Sequence, residues 1–154
     1  AQTDRTEQAV GRIIGALCVV TTCWNNNHRG FLTAWVSQAS FNPPGLVIAV
    51  GEAQRAGLII QTGDRFVLNI LKEGRNLRRH FLNAAEGDRL EQLSTRPAQN
   101  GCLILEEALS YLECTVQNRL EAGDHWLVYA VINHGEVLDR NGMTAMHYTT
   151  KGKG

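Results

Sequence analysis

Apolar positions along this chain gather in short β-branched runs set between polar, glycine-bearing turns. That is the pattern of many short strands, not of long amphipathic helices. The first stretch is the exception: Asp4 and Glu7 stand in capping-box spacing, Val10, Ile13 and Ile14 share one side, and a helix is expected over Asp4–Ile14. Ala16–Cys23 predicts a strand, Asn25–Gly30 a polar turn, and Phe31–Ser37 the return strand of a hairpin with a long tip. Asn42-Pro43-Pro44-Gly45 is expected to break regular structure, and Leu46–Val50 to be a strand buried on both faces. Ala53–Thr62 predicts a short helix stopped by Gly63, and Phe66–Leu71 a strand. Asn76–Ala85 predicts a helix with Leu77, Phe81 and Leu82 inward and Arg78 and Arg79 outward; Glu86–Asn100 lacks periodicity and predicts a loop or broken helix. Ala108–Arg119 and His125–Asn133 predict paired strands joined around Glu121-Ala122-Gly123-Asp124; Gly135–Leu138 and Thr144–Tyr148 complete the series, and 149–154 read as a frayed tail.

Strands at this spacing predict a mainly β protein with short helices, a closed antiparallel barrel. Strands do not alternate regularly with long helices, so a doubly wound parallel sheet is disfavoured. At 154 residues the chain makes one domain with a real core, because folding at that length removes about 70% of the unfolded surface from water.

Charge narrows the partners. Lys+Arg and Asp+Glu both number 15, so the formal net charge is zero, which argues against nucleic acid and gives no support for an anionic membrane surface. No apolar run approaches the roughly 20 residues that span a bilayer. The polar start lacks both a signal-peptide core and an initiator Met, and the expectation is a piece excised from a longer cytoplasmic chain. Cys18, Cys23, Cys102 and Cys114 form no C-x-x-C pair and read as free thiols of a reducing compartment. His28, His80, His125, His134 and His147 are scattered without ligand spacing, so no metal is expected.

Candidate chemistry concentrates in Thr33-Ala34-Trp35-Val36-Ser37-Gln38-Ala39-Ser40-Phe41, directly before the double proline. In an extended segment Thr33, Trp35 and Ser37 share one face, with Ala34, Val36 and Gln38 on the other. Backbone N–H groups leaving a sheet, with Ser37 and Ser40, suit a flat heteroaromatic carrying carbonyl oxygens and a phosphate tail. The same residues also describe an ordinary hydroxyl-rich strand end. Arg55 could face such a phosphate, or be a solvated arginine. Lys72, Arg75, Arg78 and Arg79 make a basic cluster blunted by Glu73 and Glu86. In Gly123-Asp124-His125-Trp126 the histidine could donate to a carboxamide, with Asp124 setting its charge, or simply cap a turn. No G-x-G-x-x-G or Walker loop is present, so any nicotinamide cofactor is not held by a Rossmann turn.

Together, Gly11–Thr22, Trp35–Gly45, Gly63–Leu71, Ala108–Cys114 and Gly123–Ala130 resemble the flavin reductase-like family. More narrowly, they are similar to the C-terminal flavin reductase domain of cyanobacterial-type flavodiiron proteins, in the same order from about Gly11 to Tyr148. The resemblance implies an FMN-binding split β-barrel of antiparallel Greek-key type, usually dimeric, as a homodimer or with a paralogous chain. It implies an NAD(P)H:flavin oxidoreductase in which hydride passes from the nicotinamide to the flavin. Electrons would continue to a diiron oxygen-reducing core linked covalently with a flavodoxin-like domain. Carried over, Thr33, Ala34, Trp35, Val36, Ser37, Gln38 and Ser40 would hold the isoalloxazine edge and ribityl phosphate. Ala49, Val50 and Gly51 would pass beside the flavin, Arg55 would face its phosphate, and His125 would lie on the nicotinamide side. No metal belongs to this domain in that reading.

Two departures matter, the first being that the wider family has small hydroxyl residues where this chain has Ala34 and Trp35, although tryptophan is normal in the flavodiiron branch. Second, the branch's A-V-A-K-[DE]-R-A is here Ala49-Val-Gly-Glu-Ala-Gln-Arg-Ala56, one residue longer and lacking the lysine. Glu52 puts negative charge near a dianion, so weaker FMN binding than the family's is expected. The same departure supports a rival reading, a non-catalytic dimerisation module that binds FMN weakly.

Overall fold

A computed structural model describes residues 2–51, 61–74, 77–83 and 90–147. Its helices are α1 (Gln2–Val10) and α2 (Leu77–Asn83). Its strands are β1 (Gly15–Ala16), β2 (Cys18–Trp24), β3 (Asn27–Thr33), β4 (Val36–Phe41), β5 (Pro44–Gly51) and β6 (Arg65–Ile70). They continue as β7 (Thr95–Pro97), β8 (Leu103–Leu105), β9 (Ser110–Ala122), β10 (His125–Val137) and β11 (Met146–His147).

Seven strands form one antiparallel sheet in the order β3-β2-β6-β9-β10-β5-β4. The edge strands β3 and β4 are separated in the chain by Ala34 and Trp35 alone. Three peptide units reach about 11 Å, whereas six strand spacings in a flat sheet measure about 29 Å. The sheet must therefore curl until its edges approach, and a small barrel results. The expected mainly β, antiparallel barrel is present.

Period-two alternation sorts the side chains. Val20, Leu46, Ile48, Val50, Phe66 and Val128 belong to the barrel interior and are almost fully buried, each contributing about 2 kcal/mol through lost apolar surface. On the outer face of β2 and β6, α2 and the β7–β8 hairpin form a cover, with Val19, Phe81, Leu90 and Leu105 in one cluster and Val67, Ile104 and Tyr111 in another. Asn69 pins that cover from within the sheet. Its side-chain amide donates to the Val19 carbonyl (3.2 Å) and Thr21 Oγ1 (3.3 Å), and its Oδ1 accepts from Leu105 N (2.9 Å). Being fully buried and fully bonded, it meets the requirement for a polar group in a core.

Several local expectations change. The first hairpin has a short tip, not a long one: Asn25 and Asn26 at φ 48° and 66° complete the turn, and β3 starts at Asn27. Asparagine tolerates the left-handed region, so two of them suffice. The double proline does not interrupt the sheet. Phe41 pairs with Pro44 across an Asn42–Pro43 tip whose peptide bond is cis, and β5 begins at once. Nor is β5 buried on both faces; Leu46, Ile48 and Val50 are buried while Val47, Ala49 and Gly51 are half-buried on the outer side. α1 starts before Asp4 and ends at Val10, leaving Ile13 and Ile14 exposed. β10 is one long strand through Gly135 to Val137. The expected helix at 53–62 and the tail at 149–154 lie outside the described residues, apart from the turn at 61–62.

The cysteines bring a correction. Cys23 and Cys102 form a disulfide with Cα atoms 5.2 Å apart, against the expectation of four free thiols. Their separation of 79 residues hides the pairing; it arises because Cys23, one residue before the end of β2, lies on its outward face and Cys102 leads into β8 of the cover laid across it. Cys18 and Cys114 are free inside the barrel, where burial pushes both thiols up to about 12.

Candidate functional site

The outer face of β4, β5 and β10 lies apart from the α2 and β7–β8 cover. Register places Ala49 beside Leu127 and Val47 beside Tyr129, and these four side chains are half-buried on that face. Ser37, paired with Val47, and Ser40 border the strip on the β4 side. β4 is the edge of the sheet, so among the described residues its outer backbone groups have no strand partner. The result is an apolar floor with polar rims.

Trp35 closes one end of the strip. Thr33 Oγ1 accepts from Trp35 N (3.3 Å), which turns the chain between β3 and β4, and the Trp35 carbonyl accepts from Ala49 N (3.0 Å). The indole is 46% exposed and stands 4.7 Å from the His125 ring at 39°. His125 is the first residue of β10, opposite Gly51 on one side and Ala122 on the other. Gly123 at φ +64° makes the tight turn that puts it there.

His125 has a fixed partner. Its Nδ1 lies 2.7 Å from Asp124 Oδ1. The hydrogen bond to His125, and then the charge of a protonated His125, hold the Asp124 carboxyl below its usual range. An ionised carboxylate only accepts, so Nδ1 carries the proton and Nε2 is left for a ligand. Because the folded value is depressed, this contact stabilises the fold above the ordinary carboxylate range and is lost as pH falls through that depressed value.

The far end of the strip is built differently. Ser40 Oγ donates to the Pro43 carbonyl (2.8 Å) and lies 2.7 Å from the Tyr129 hydroxyl. With its proton given to Pro43, Ser40 accepts from Tyr129, and its remaining lone pair is what it can offer a ligand. Gly45 makes room for this pair, since a Cβ there would meet the Tyr129 hydroxyl at 2.5 Å and Ser40 Oγ at 2.6 Å.

The candidates therefore divide. Trp35, Ala49, Gly51 and His125 come together, although Trp35 and His125 are 90 residues apart in sequence. Ser37 and Gln38 are exposed along β4, whereas Ser40 sits roughly 13 Å further along the strand from Val36. Thr33, Trp35 and Ser37 do not share one continuous face, because the turn at 34–35 resets the alternation. Ala34 packs against the α2 cluster, and Val36 and Val50 point into the core, so only the backbone of those three can reach a ligand. Arg55 and Glu52 lie outside the described residues. Of the basic cluster, Lys72 is paired with Asp139 (3.1 Å), Arg79 is exposed, and Arg75 is outside the described residues, as is the side chain of Arg78. Tyr129 escaped the sequence reading; Trp126, quoted there with His125 but given no role, has the Arg119 guanidinium over its ring at 4.5 Å. The Leu127-Tyr129-Val131 alternation was the available signal for Tyr129. Among the described residues no group of three or more His, Cys, Asp or Glu could hold a metal, and no helix is long and apolar enough to cross a membrane.

The flavin reductase like domain, as a family pattern, matches residues 10–153. This chain belongs to that family. It is 59% identical over 154 residues to a Nostoc sp. protein that bears the name diflavin flavoprotein A 4, a match covering 99% of this chain and 27% of that one. Diflavin flavoprotein A 1 of Synechocystis sp. is 45% identical over 150 residues, covering 95% and 26%. The chain thus spans about a quarter of the length of the curated relatives it matches. Among solved structures, nitrilotriacetate monooxygenase component B from Mycobacterium thermoresistibile aligns with a TM-score of 0.84 at 23% identity, over 96% of this chain and 83% of that one. Flavin reductase HpaC complexed with NADP+ aligns at 0.83 and 18% identity, over 96% and 94%. At such identities the likeness establishes the fold, the split barrel of flavin reductases. The chain is a flavin reductase domain of the diflavin flavoprotein type, and hence of an oxidoreductase family.

Proposed function

We propose that this domain binds FMN along the β4–β5–β10 face and reduces it with NAD(P)H. The observation that carries the reading is the Trp35–His125 pair at the end of a half-buried apolar strip beside an edge strand. The residues present fit a flavin. Val47, Ala49 and Leu127 offer an apolar wall; the β4 backbone edge and Ser37 offer polar contacts for a heteroaromatic rim. FMN, when bound, supplies the two-electron chemistry. Thr33, Ala34, Trp35, Val36, Gln38, Ala49, Val50 and Gly51 position it, largely through backbone groups. Ser40 contributes a lone pair, and Arg55 the charge for the phosphate. His125, held by Asp124, directs Nε2 toward the nicotinamide. FMN over other flavins, and NADPH or NADH as donor, belong to this proposal and rest on the resemblance.

The quarter-length match supports a wider reading. In the full-length protein this domain is covalently joined to diiron and flavodoxin-like domains and passes electrons to an oxygen-reducing centre. A second copy, or a paralogous chain, covers part of the half-buried strip, and the protein works in the cytoplasm.

The test is spectral. Purified protein mixed with FMN shows a perturbed flavin absorption band, and stopped-flow mixing with NADPH or NADH bleaches it. A perturbed band that does not bleach supports the non-catalytic module instead, and an unperturbed band overturns flavin binding altogether. Glu52→Lys reverses a charge near the proposed phosphate, so it is expected to tighten FMN binding about 5–10-fold in a fluorescence titration.

A further inference from the structure

Cys23 and Cys102 stand apart from the proposed flavin face. Cys18, five residues before Cys23 on β2, pairs with Thr33 at the flavin end, so the bridge lies roughly 17 Å further along the strand. It joins β2 to the 98–102 turn that connects β7 to β8 in the cover.

That turn is held in place without the bridge. Asn100 N donates to buried Glu113 Oε1 (2.8 Å), Asn100 Nδ2 donates to the Phe66 carbonyl (3.0 Å), and Cys102 N donates to Asn100 Oδ1 (3.0 Å). Ala98 N also donates to the Cys102 carbonyl (2.7 Å). Opening the disulfide therefore leaves both sulfurs facing each other, at the high effective concentration that favours closing again. Access is one-sided: Cys102 is fully buried, whereas Cys23 is partly exposed beside Trp24, itself 68% exposed. The remaining cysteines cannot compete, because Cys18 and Cys114 are enclosed in the barrel core.

We propose that Cys23 and Cys102 form a reversible dithiol–disulfide couple, entered through Cys23, that staples the β7–β8 cover to the barrel and ties the domain's stability to the surrounding thiol poise. In the closing direction the Cys23 thiolate attacks a low-molecular-weight disulfide such as oxidised glutathione and releases one thiolate. The Cys102 thiolate then attacks Cys23 Sγ and releases the second. The protein loses two electrons and two thiol protons; the small disulfide gains the electrons and leaves as two thiols. A small dithiol reverses both steps by attacking Cys23 and displacing Cys102.

Denaturing alkylation with N-ethylmaleimide reads the state directly. Protein equilibrated with oxidised glutathione takes up two labels, on Cys18 and Cys114; protein first held native in dithiothreitol takes up four. Peptide mapping of the oxidised form finds Cys23 linked to Cys102. The melting midpoint of the reduced form falls by about 5–10 °C, because a 79-residue loop is freed in the unfolded chain. Cys23→Ser melts like the reduced form and no longer responds to dithiothreitol. Four labels after oxidation, a different pairing, two labels persisting after native reduction, or equal midpoints would each overturn the proposal. The thiol count needs no flavin, so its failure is distinguishable from failure of the flavin-reductase reading.

Discussion

Gly15→Ala is expected to lower the melting midpoint by about 8 °C. A Cβ at Gly15 would fall on the Ala34 carbonyl oxygen. Neither side can retreat. β1 is fixed by pairing with β11 and by the bonds of neighbouring Leu17, whose N donates to the Ala145 carbonyl (2.9 Å) and whose carbonyl accepts from Leu71 N (3.0 Å). Ala34 belongs to the two-residue link that joins the opposite edges of the sheet, and that link has no slack. Forced overpacking against backbone costs about 3 kcal/mol, equivalent to the stated shift in a domain of this size. The next residue is Trp35, so the variant is also expected to disturb the Trp35–His125 contact and weaken FMN binding. A circular dichroism melt within 2 °C of the parent would show that the link can yield, and the argument for barrel closure would need revision.

The barrel itself was legible in the sequence because its signals are local. Short β-branched runs mark β2, β5, β6 and β9, and Asn-rich or Gly-bearing turns mark their ends. What could not be read was spatial approach. The return strand expected over Phe31–Ser37 is in fact parts of two strands on opposite edges, because a Thr33 hydroxyl bonding Trp35 N makes a turn with no glycine or proline to announce it. The disulfide was hidden for the same reason, since nothing near Cys23 indicates what the β8 cover brings against it. The candidate site shows both sides of this. Residue type and resemblance point to Trp35 and His125 separately, but their contact depends on β5 lying between β4 and β10. The Ser40 hydroxyl is visible in the sequence, and only the fold reveals Pro43 and Tyr129 already using it. Composition identifies which groups could act; the sheet order decides which of them meet.

His125→Ala is expected to lower kcat/KM for NAD(P)H about 100-fold, with FMN affinity changed less than threefold. The expectation follows from how the ring is held. Asp124 Oδ1 accepts from the Nδ1–H at 2.7 Å, so Nε2 is the nitrogen presented, and the 4.7 Å contact with Trp35 fixes the plane of the ring. A group held on two sides loses little freedom when a nicotinamide carboxamide or developing charge approaches it, and removing a positioned proton donor or acceptor typically costs about 100-fold or more. FMN, by contrast, is assigned mainly to backbone groups of β4 and β5, which the substitution leaves in place. Asp124→Asn separates orientation from chemistry. The amide keeps the size of the side chain but can present its NH2 to Nδ1, which permits the opposite tautomer, and an intermediate loss of about 10-fold is expected. The same variant removes the carboxyl whose ionisation is favoured by this contact, so any acid-side fall in kcat/KM due to Asp124 protonation should disappear from its pH profile. Steady-state assays across pH with saturating FMN, beside an FMN titration of each variant, give the split. If His125→Ala weakens FMN as much as it weakens NAD(P)H, the ring belongs to the flavin's floor and not to the nicotinamide side, and if it changes neither, the Trp35–His125 end of the strip is not the reacting end.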